Sequence, residues 1–199
     1  ENGIIRPMPM EVYEMRWELE EAFTRFKSGL AVGKIVIRVQ SKLQEKLSSS
    51  NPEVAVVTGG LGGLGLVTAE ALVEAGMQRV VLVSRSGVVK HAGQGLESRL
   101  DKLRASGAVI EIERCDVGIE SEVEAMLSRV RENHGALRVV VHAAGVLSDA
   151  LLGKQTEESM RAVFAPKADG AWYLHKHTLG DDLLSFVMFS SVSAVFGNV

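Results

Sequence analysis

Gly59, Gly63 and Gly65 punctuate the run Val54-Ala55-Val56-Val57-Thr58-Gly59-Gly60-Leu61-Gly62-Gly63-Leu64-Gly65, whose composition and spacing suit capture of a diphosphate. Without a Cβ, glycine lets main-chain N–H groups approach phosphate oxygens closely, and the start of a following helix adds positive potential. The competing reading is a glycine-rich strand-to-helix turn that binds nothing. The elements that confirm a phosphate loop flank it: an apolar run at Val54–Thr58, and Leu66, Ala69, Leu72 and Val73 at helical spacing behind it.

Three further clusters carry chemistry. Where a dinucleotide fold usually places an acid for the ribose hydroxyl, about 20 residues beyond the loop, this chain has Ser84-Arg85-Ser86 and no acid. A planar guanidinium suits a 2′-phosphate, and the two hydroxyls add hydrogen bonds, so NADPH is favoured over NADH. Otherwise Arg85 is a solvated loop cation. Cys115-Asp116-Val117 offers a carboxylate to an adenine amine, or only a cap for the next helix. His142-Ala143-Ala144-Gly145 supplies small residues beside a flat cofactor. His142 itself, one of five scattered histidines without metal-ligand spacing, reads as structural.

The elements that position these clusters alternate. Strands are expected at Val54–Thr58, Arg79–Ser84, Val109–Arg114, Leu137–His142 and Leu184–Ser190. Helices are expected at Gly63–Ala75, Leu96–Ser106, Ile119–Glu132 and, broken near Pro166, Glu157–His177. Continuous apolar strand cores indicate a parallel sheet covered on both faces, hence a doubly wound α/β fold of about five strands with its ligand at the carboxyl ends. Residues 1 to about 40 read as loop, helix, turn and strand, with Pro7 and Pro9 breaking the start and Ile35–Val39 forming the strand. The polar stretch 41–53, including Ser48-Ser49-Ser50-Asn51-Pro52, reads as a linker.

Bulk properties exclude several classes. The chain has 199 residues, 46% of them hydrophobic, and a net charge of −3, which provides no basic field for nucleic acid or an anionic membrane. No segment reaches the roughly 20 apolar residues of a membrane span. A single cysteine, Cys115, permits no internal disulfide and points to a reducing, cytoplasmic setting. Glu1-Asn2-Gly3 is not a natural start, so the chain reads as an internal piece of a longer protein.

Thr58–Gly65, Ser84-Arg85, Cys115-Asp116-Val117, His142-Ala143-Ala144-Gly145-Val146, Ala165-Pro166-Lys167-Ala168-Asp169-Gly170 and Phe189-Ser190-Ser191 occur in this order. Together they make residues 52–199 resemble the ketoreductase domain of polyketide synthases, a short-chain dehydrogenase/reductase with a Rossmann-type sheet; animal-type fatty acid synthases carry a similar domain. Glu20-Glu21-Ala22-Phe23 and Gly33-Lys34-Ile35-Val36 resemble the end of an enoylreductase domain. The resemblance implies a fully reducing, homodimeric multidomain synthase that reduces the β-keto group of acyl chains tethered to an acyl carrier protein. Alternatives are a fatty acid synthase ketoreductase, a non-catalytic structural half-domain, and a nucleotide-binding regulatory protein of the same fold.

Within the family, Lys167 and Ser191 match the catalytic Lys and Ser. The Ser hydrogen-bonds the substrate carbonyl, a Tyr protonates it, the Lys lowers the Tyr pKa and an Asn holds the set. By the family spacing the Tyr and Asn fall beyond Val199, so the 199 residues alone are expected to be inactive. Tyr173, beside Trp172, reads as packing, and Lys167 without its family context would read as a surface lysine. Leu147-Ser148-Asp149 stands where B-type enzymes carry Leu-Asp-Asp, and Phe196 stands near the Trp of A-type enzymes; the lean is to the B type.

Overall fold

The computed structural model describes residues 9–15, 18–38, 53–89, 94–191 and 193–196. Two compact units are present, residues 1–42 and 43–199.

The first unit is a small βαβ element. Strand β1 (Met10–Glu14) pairs in parallel with β2 (Lys34–Arg38), and helix α1 (Leu19–Lys27) connects them. Glu20 and Glu21 sit in the first turn of α1, and Arg25 and Lys27 in its last, each complementing the helix dipole. Arg25 grips Glu11 at 2.8 Å, which holds the Glu11 carboxyl below its ordinary pKa, and the Tyr13 hydroxyl donates to the same carboxylate. Strand β1 stands where a loop was expected. Five residues with Met10 and Val12 exposed carry little local signal, and the strand exists through its register with β2. The expected linker lies outside the described residues except for Glu53, which opens β3.

The second unit runs β3 (Glu53–Thr58), α2 (Gly63–Glu74), β4 (Arg79–Ser84), α3 (Leu96–Arg104), β5 (Val109–Arg114), α4 (Glu120–His134) and β6 (Ala136–His142). A short 3-10 turn (Leu152–Lys154) follows, then α5 (Glu157–Phe164), a π-helical turn (Ala165–Asp169), α6 (Gly170–His177), β7 (Ser185–Met188) and α7 (Ser193–Phe196). All five strands are parallel, in the order β5-β4-β3-β6-β7.

Successive strand residues point to opposite faces, and both faces are covered. Ala55, Val57, Leu82, Val139 and Val141 pack with Leu66, Ala69 and Leu100 in one core. Val54, Val56, Val81, Val83 and Val140 pack with Val123, Met126, Leu127 and Leu174 in the other. Tyr173 is partly buried against this second core, as a packing residue.

The interruption expected near Pro166 takes the form of a π-turn, through which the backbone passes from α5 into α6. A wider turn accommodates a residue that lacks an N–H and whose ring crowds the preceding turn. Among the described residues no helix is long and apolar enough to cross a membrane.

Candidate functional site

The chain leaves β3 for β4 and β5 on one side, then returns to place β6 and β7 on the other. The strand order therefore reverses beside β3, and a crevice opens outside the carboxyl ends there. A cleft of about 230 Å³ occupies this position. Gly59, Leu61 and Gly62 line it from the turn after β3, with Ser84, Arg85 and Ser86 from beyond β4 and Cys115, Asp116 and Val117 from beyond β5. Ala143, Ala144, Gly145 and Val146 line it from beyond β6, and Pro166, Val83 and Val88, the last two not expected there from the sequence, complete the wall. Thr58, Gly60, Gly63, Leu64, Gly65 and His142 are not among the residues that line it.

The glycines of the loop divide into two groups. Gly59 has φ +66°, and a Cβ there would lie 2.6 Å from the Ala143 carbonyl oxygen. At Gly60 it would meet Leu82 Cα at 2.8 Å, and at Gly65 the Gly59 oxygen at 2.3 Å. These three let the turn close against β4, β6 and α2. Gly63 differs, because nothing lies within 4 Å of its missing Cβ. Helix α2 begins there with no side-chain cap and no acid in its first turn, so its leading N–H groups meet no acceptor from a capping side chain. Open space in front of uncapped amides fits a diphosphate.

On the β4 side, Gly87 N–H donates to Ser84 Oγ at 3.0 Å and Ser86 Oγ donates to the Val88 carbonyl at 3.1 Å, shaping the turn that presents the exposed Arg85. A second cation stands here. Arg114 is the register partner of Ser84, and its stem crosses Gly87, where a Cβ would come within 2.9 Å of Arg114 Cγ. Among the described residues neither Arg85 nor Arg114 is engaged in an ion pair. The sequence reading passed over Arg114; the signal was its place at the end of β5, directly before Cys115-Asp116.

Asp116 Oδ1 accepts from Gly118 N–H at 3.0 Å, and Asp116 N–H donates to Glu122 at 2.7 Å. Asp116 thus braces its own turn, while α4 starts later, at Glu120, with Ile119 at its N-cap position and no side-chain cap. Burial pushes the Cys115 thiol up to about 12, with Glu122 and Asp116 adding to the effect, so Cys115 is a neutral wall and not a nucleophile.

Lys167 lies on the π-turn, exposed, with its stem along Gly145; a Cβ at Gly145 would lie 3.0 Å from Lys167 Cε. The small residues after β6 therefore admit the Gly59 turn on one side and the Lys167 side chain on the other. Ser191 follows β7, exposed, and accepts from Ser193 N–H at 3.1 Å. Leu147, Ser148 and Asp149 are exposed on the segment after β6, and the side chain of Phe196 lies outside the described residues.

His142 is 4% exposed and uses both ring nitrogens. Ala144 N–H donates to Thr58 Oγ1 at 3.3 Å, leaving the Thr58 proton for His142 Nδ1 at 2.7 Å. The remaining nitrogen, Nε2, then carries the proton and donates to the Lys167 carbonyl at 3.2 Å. Burial holds the His142 pKa below its ordinary 6.5, against the opposing pull of the Lys167 carbonyl. The folded state therefore binds this proton less readily than the unfolded chain. Its stability contribution is complete above pH 6.5 and declines as the pH falls below that value toward the lower folded pKa. Between about pH 7.5 and about pH 5, urea denaturation should show wild type losing more stability than His142→Gln. Equal losses would refute the neutral assignment.

The KR domain family model matches residues 54–199. The polyketide synthase GfsB of Streptomyces halstedii is 39% identical over 200 residues, covering 100% of this chain and 3% of that protein. The pikromycin synthase component PikAII of Streptomyces venezuelae is 37% identical over 201 residues, covering 99% of this chain and 5% of that protein. A solved structure of A-type ketoreductases from a modular polyketide synthase superposes with a TM-score of 0.65 at 35% identity, covering 74% of this chain and 30% of that one. The chain thus spans a small fraction of the synthases it matches.

Proposed function

The chain belongs to the ketoreductase (KR) domain family of polyketide synthases, within the short-chain dehydrogenase/reductases, and from that premise we propose that residues 54–199 bind NADPH and help reduce the β-keto group of an acyl chain carried by an acyl carrier protein. The observation that carries this reading is the uncapped start of α2 facing open space at a topological switch point, with Arg85 beyond β4 and Arg114 at the end of β5 free of ion pairs among the described residues.

Each residue has a role in the proposal. The N–H groups of Gly63 and Leu64 bind the diphosphate. Cys115, Val117 and Ala144 give an apolar slot for the adenine, and Asp116 accepts from its amine. Arg85 and Arg114 hold the 2′-phosphate, with Ser84 and Ser86 alongside. When bound, NADPH supplies the hydride. Negative charge then develops on the substrate oxygen, where the Ser191 hydroxyl donates a hydrogen bond. The Lys167 ammonium lowers the pKa of the family's phenol, which the spacing places beyond Val199, and so readies it to give up its proton.

Residues 1–40 are proposed to be the end of a preceding enoylreductase domain, and the whole protein a reducing, homodimeric cytoplasmic synthase. In support, similarity to GfsB extends over 100% of the chain although the KR model begins at residue 54.

Arginine substitution tests cofactor choice. Titration of the full-length protein should show NADPH binding more tightly than NADH. Arg85→Ala and Arg114→Ala should each weaken NADPH about 10- to 100-fold, the loss expected for a hydrogen bond to a charged group, while leaving NADH nearly unchanged. Undiminished preference for NADPH in both variants would remove the argument.

A further inference from the structure

We propose that His142 is a positioning residue for Lys167: its Nε2–H holds the Lys167 carbonyl at the π-turn and thereby sets the direction in which the Lys167 side chain leaves the helix. The inference rests on the catalytic reading of Lys167 above and adds a residue that touches neither cofactor nor substrate.

The backbone geometry supplies the reason. In the π-turn Gly170 N–H reaches back to both the Ala165 and Lys167 carbonyls, so the regular helical ladder is interrupted where Lys167 sits. The Lys167 carbonyl already accepts from Gly170 inside the turn, and its second lone pair is open to a donor from outside. His142 provides that donor at 3.2 Å from the end of β6. The imidazole is itself fixed, since Thr58 at the end of β3 occupies Nδ1 at 2.7 Å. The relay therefore runs from the strand that enters the phosphate loop, through the neighbouring strand, to the backbone of the lysine. The Lys167 stem is guided a second time by Gly145, three residues beyond His142. Finally, the register partner of His142 is Met188, three residues before Ser191, so one strand end is tied to the segments carrying both proposed catalytic groups.

Asn and Gln separate the two halves of the imidazole. A Gln amide reaches about as far as Nε2 and can donate to the Lys167 carbonyl; an Asn amide reaches only as far as Nδ1 and can restore the bond to Thr58. In the full-length protein, His142→Ala and His142→Asn are expected to lower kcat about 10- to 100-fold, with NADPH affinity changed little, because a displacement of about 1 Å at a reacting group costs on that order. His142→Gln should recover most of the turnover. Hydrogen exchange at the amides of 167–171 should accelerate in the Ala and Asn variants and return toward wild type with Gln.

Recovery by Asn as complete as by Gln, or turnover in His142→Ala equal to wild type, overturns the proposal. Misfolding of His142→Ala would not protect it, because the Gln and Asn comparison decides the matter alone. Lys167→Ala separates the two levels. Full activity in Lys167→Ala overturns the catalytic reading and this inference with it, whereas an inactive Lys167→Ala beside an active His142→Ala overturns only this inference.

Discussion

Replacing Lys167 by Ala in the full-length protein is expected to reduce turnover of a β-ketoacyl thioester about 100- to 1,000-fold, and Ser191→Ala to do the same within that range. The expectation follows from where charge appears. Hydride addition converts a neutral carbonyl into an alkoxide, and preorganised donors gain strength as that charge grows. In the proposed roles, Lys167 acts on the phenol that delivers the proton and Ser191 on the oxygen directly, so their losses should fall on kcat. Affinity for NADPH should hold within a few-fold, since neither side chain lines the cleft. Lys167→Met, which keeps length and removes charge, should match Lys167→Ala. Stopped-flow measurement of cofactor oxidation provides the readout, and unchanged turnover in both single variants would show that the site is misplaced.

The second large effect separates folding from binding within one loop. At Gly65 a Cβ would lie 2.3 Å from the Gly59 oxygen and 2.6 Å from Gly60 Cα, contacts with backbone that has no room to yield. Gly65→Ala is expected to cost about 2 to 3 kcal/mol through overpacking, a fall in Tm of about 4 to 12 °C for a unit of this size. At Gly63 the added methyl meets nothing. Gly63→Ala should keep or slightly raise stability, by about 0.5 kcal/mol, because alanine suits a helix better. It should nonetheless weaken NADPH at least about tenfold, since the methyl enters the space assigned to the diphosphate. Calorimetry and a cofactor titration on both variants complete the comparison. Gly63→Ala binding as tightly as wild type would place the diphosphate elsewhere.

The parallel sheet was legible because Val54–Val57, Val80–Val83 and Val139–Val141 are uninterrupted apolar runs, a pattern that burial on both faces requires. The glycine-rich turn between β3 and α2 was legible because its strand and helix announce themselves locally. What escaped was non-local. Strand β1 depends on a partner on the far side of α1. Pro166 signals an interruption, but not that a π-turn carries the backbone through it. His142 was read beside the cofactor and also as a structural residue; its ring partners lie 84 and 25 residues away in sequence, beyond the reach of any local pattern. Arg114 became visible through strand register, which places it opposite Ser84.

The position of β3 in the middle of the sheet has a consequence for synthesis on the ribosome. Thr58 is translated 84 residues before His142, its neighbour across the β3–β6 pair. At about 5 to 20 residues per second, the nascent strand waits roughly 4 to 17 s with one hydrogen-bonding edge bare. Of β3's two neighbours, only β4 emerges promptly, leaving Val54, Val56 and their apolar companions exposed to chaperones or to other nascent chains through the interval. Slowing translation between residues 58 and 142 should therefore lower the yield of soluble protein more than an equal pause placed after β6.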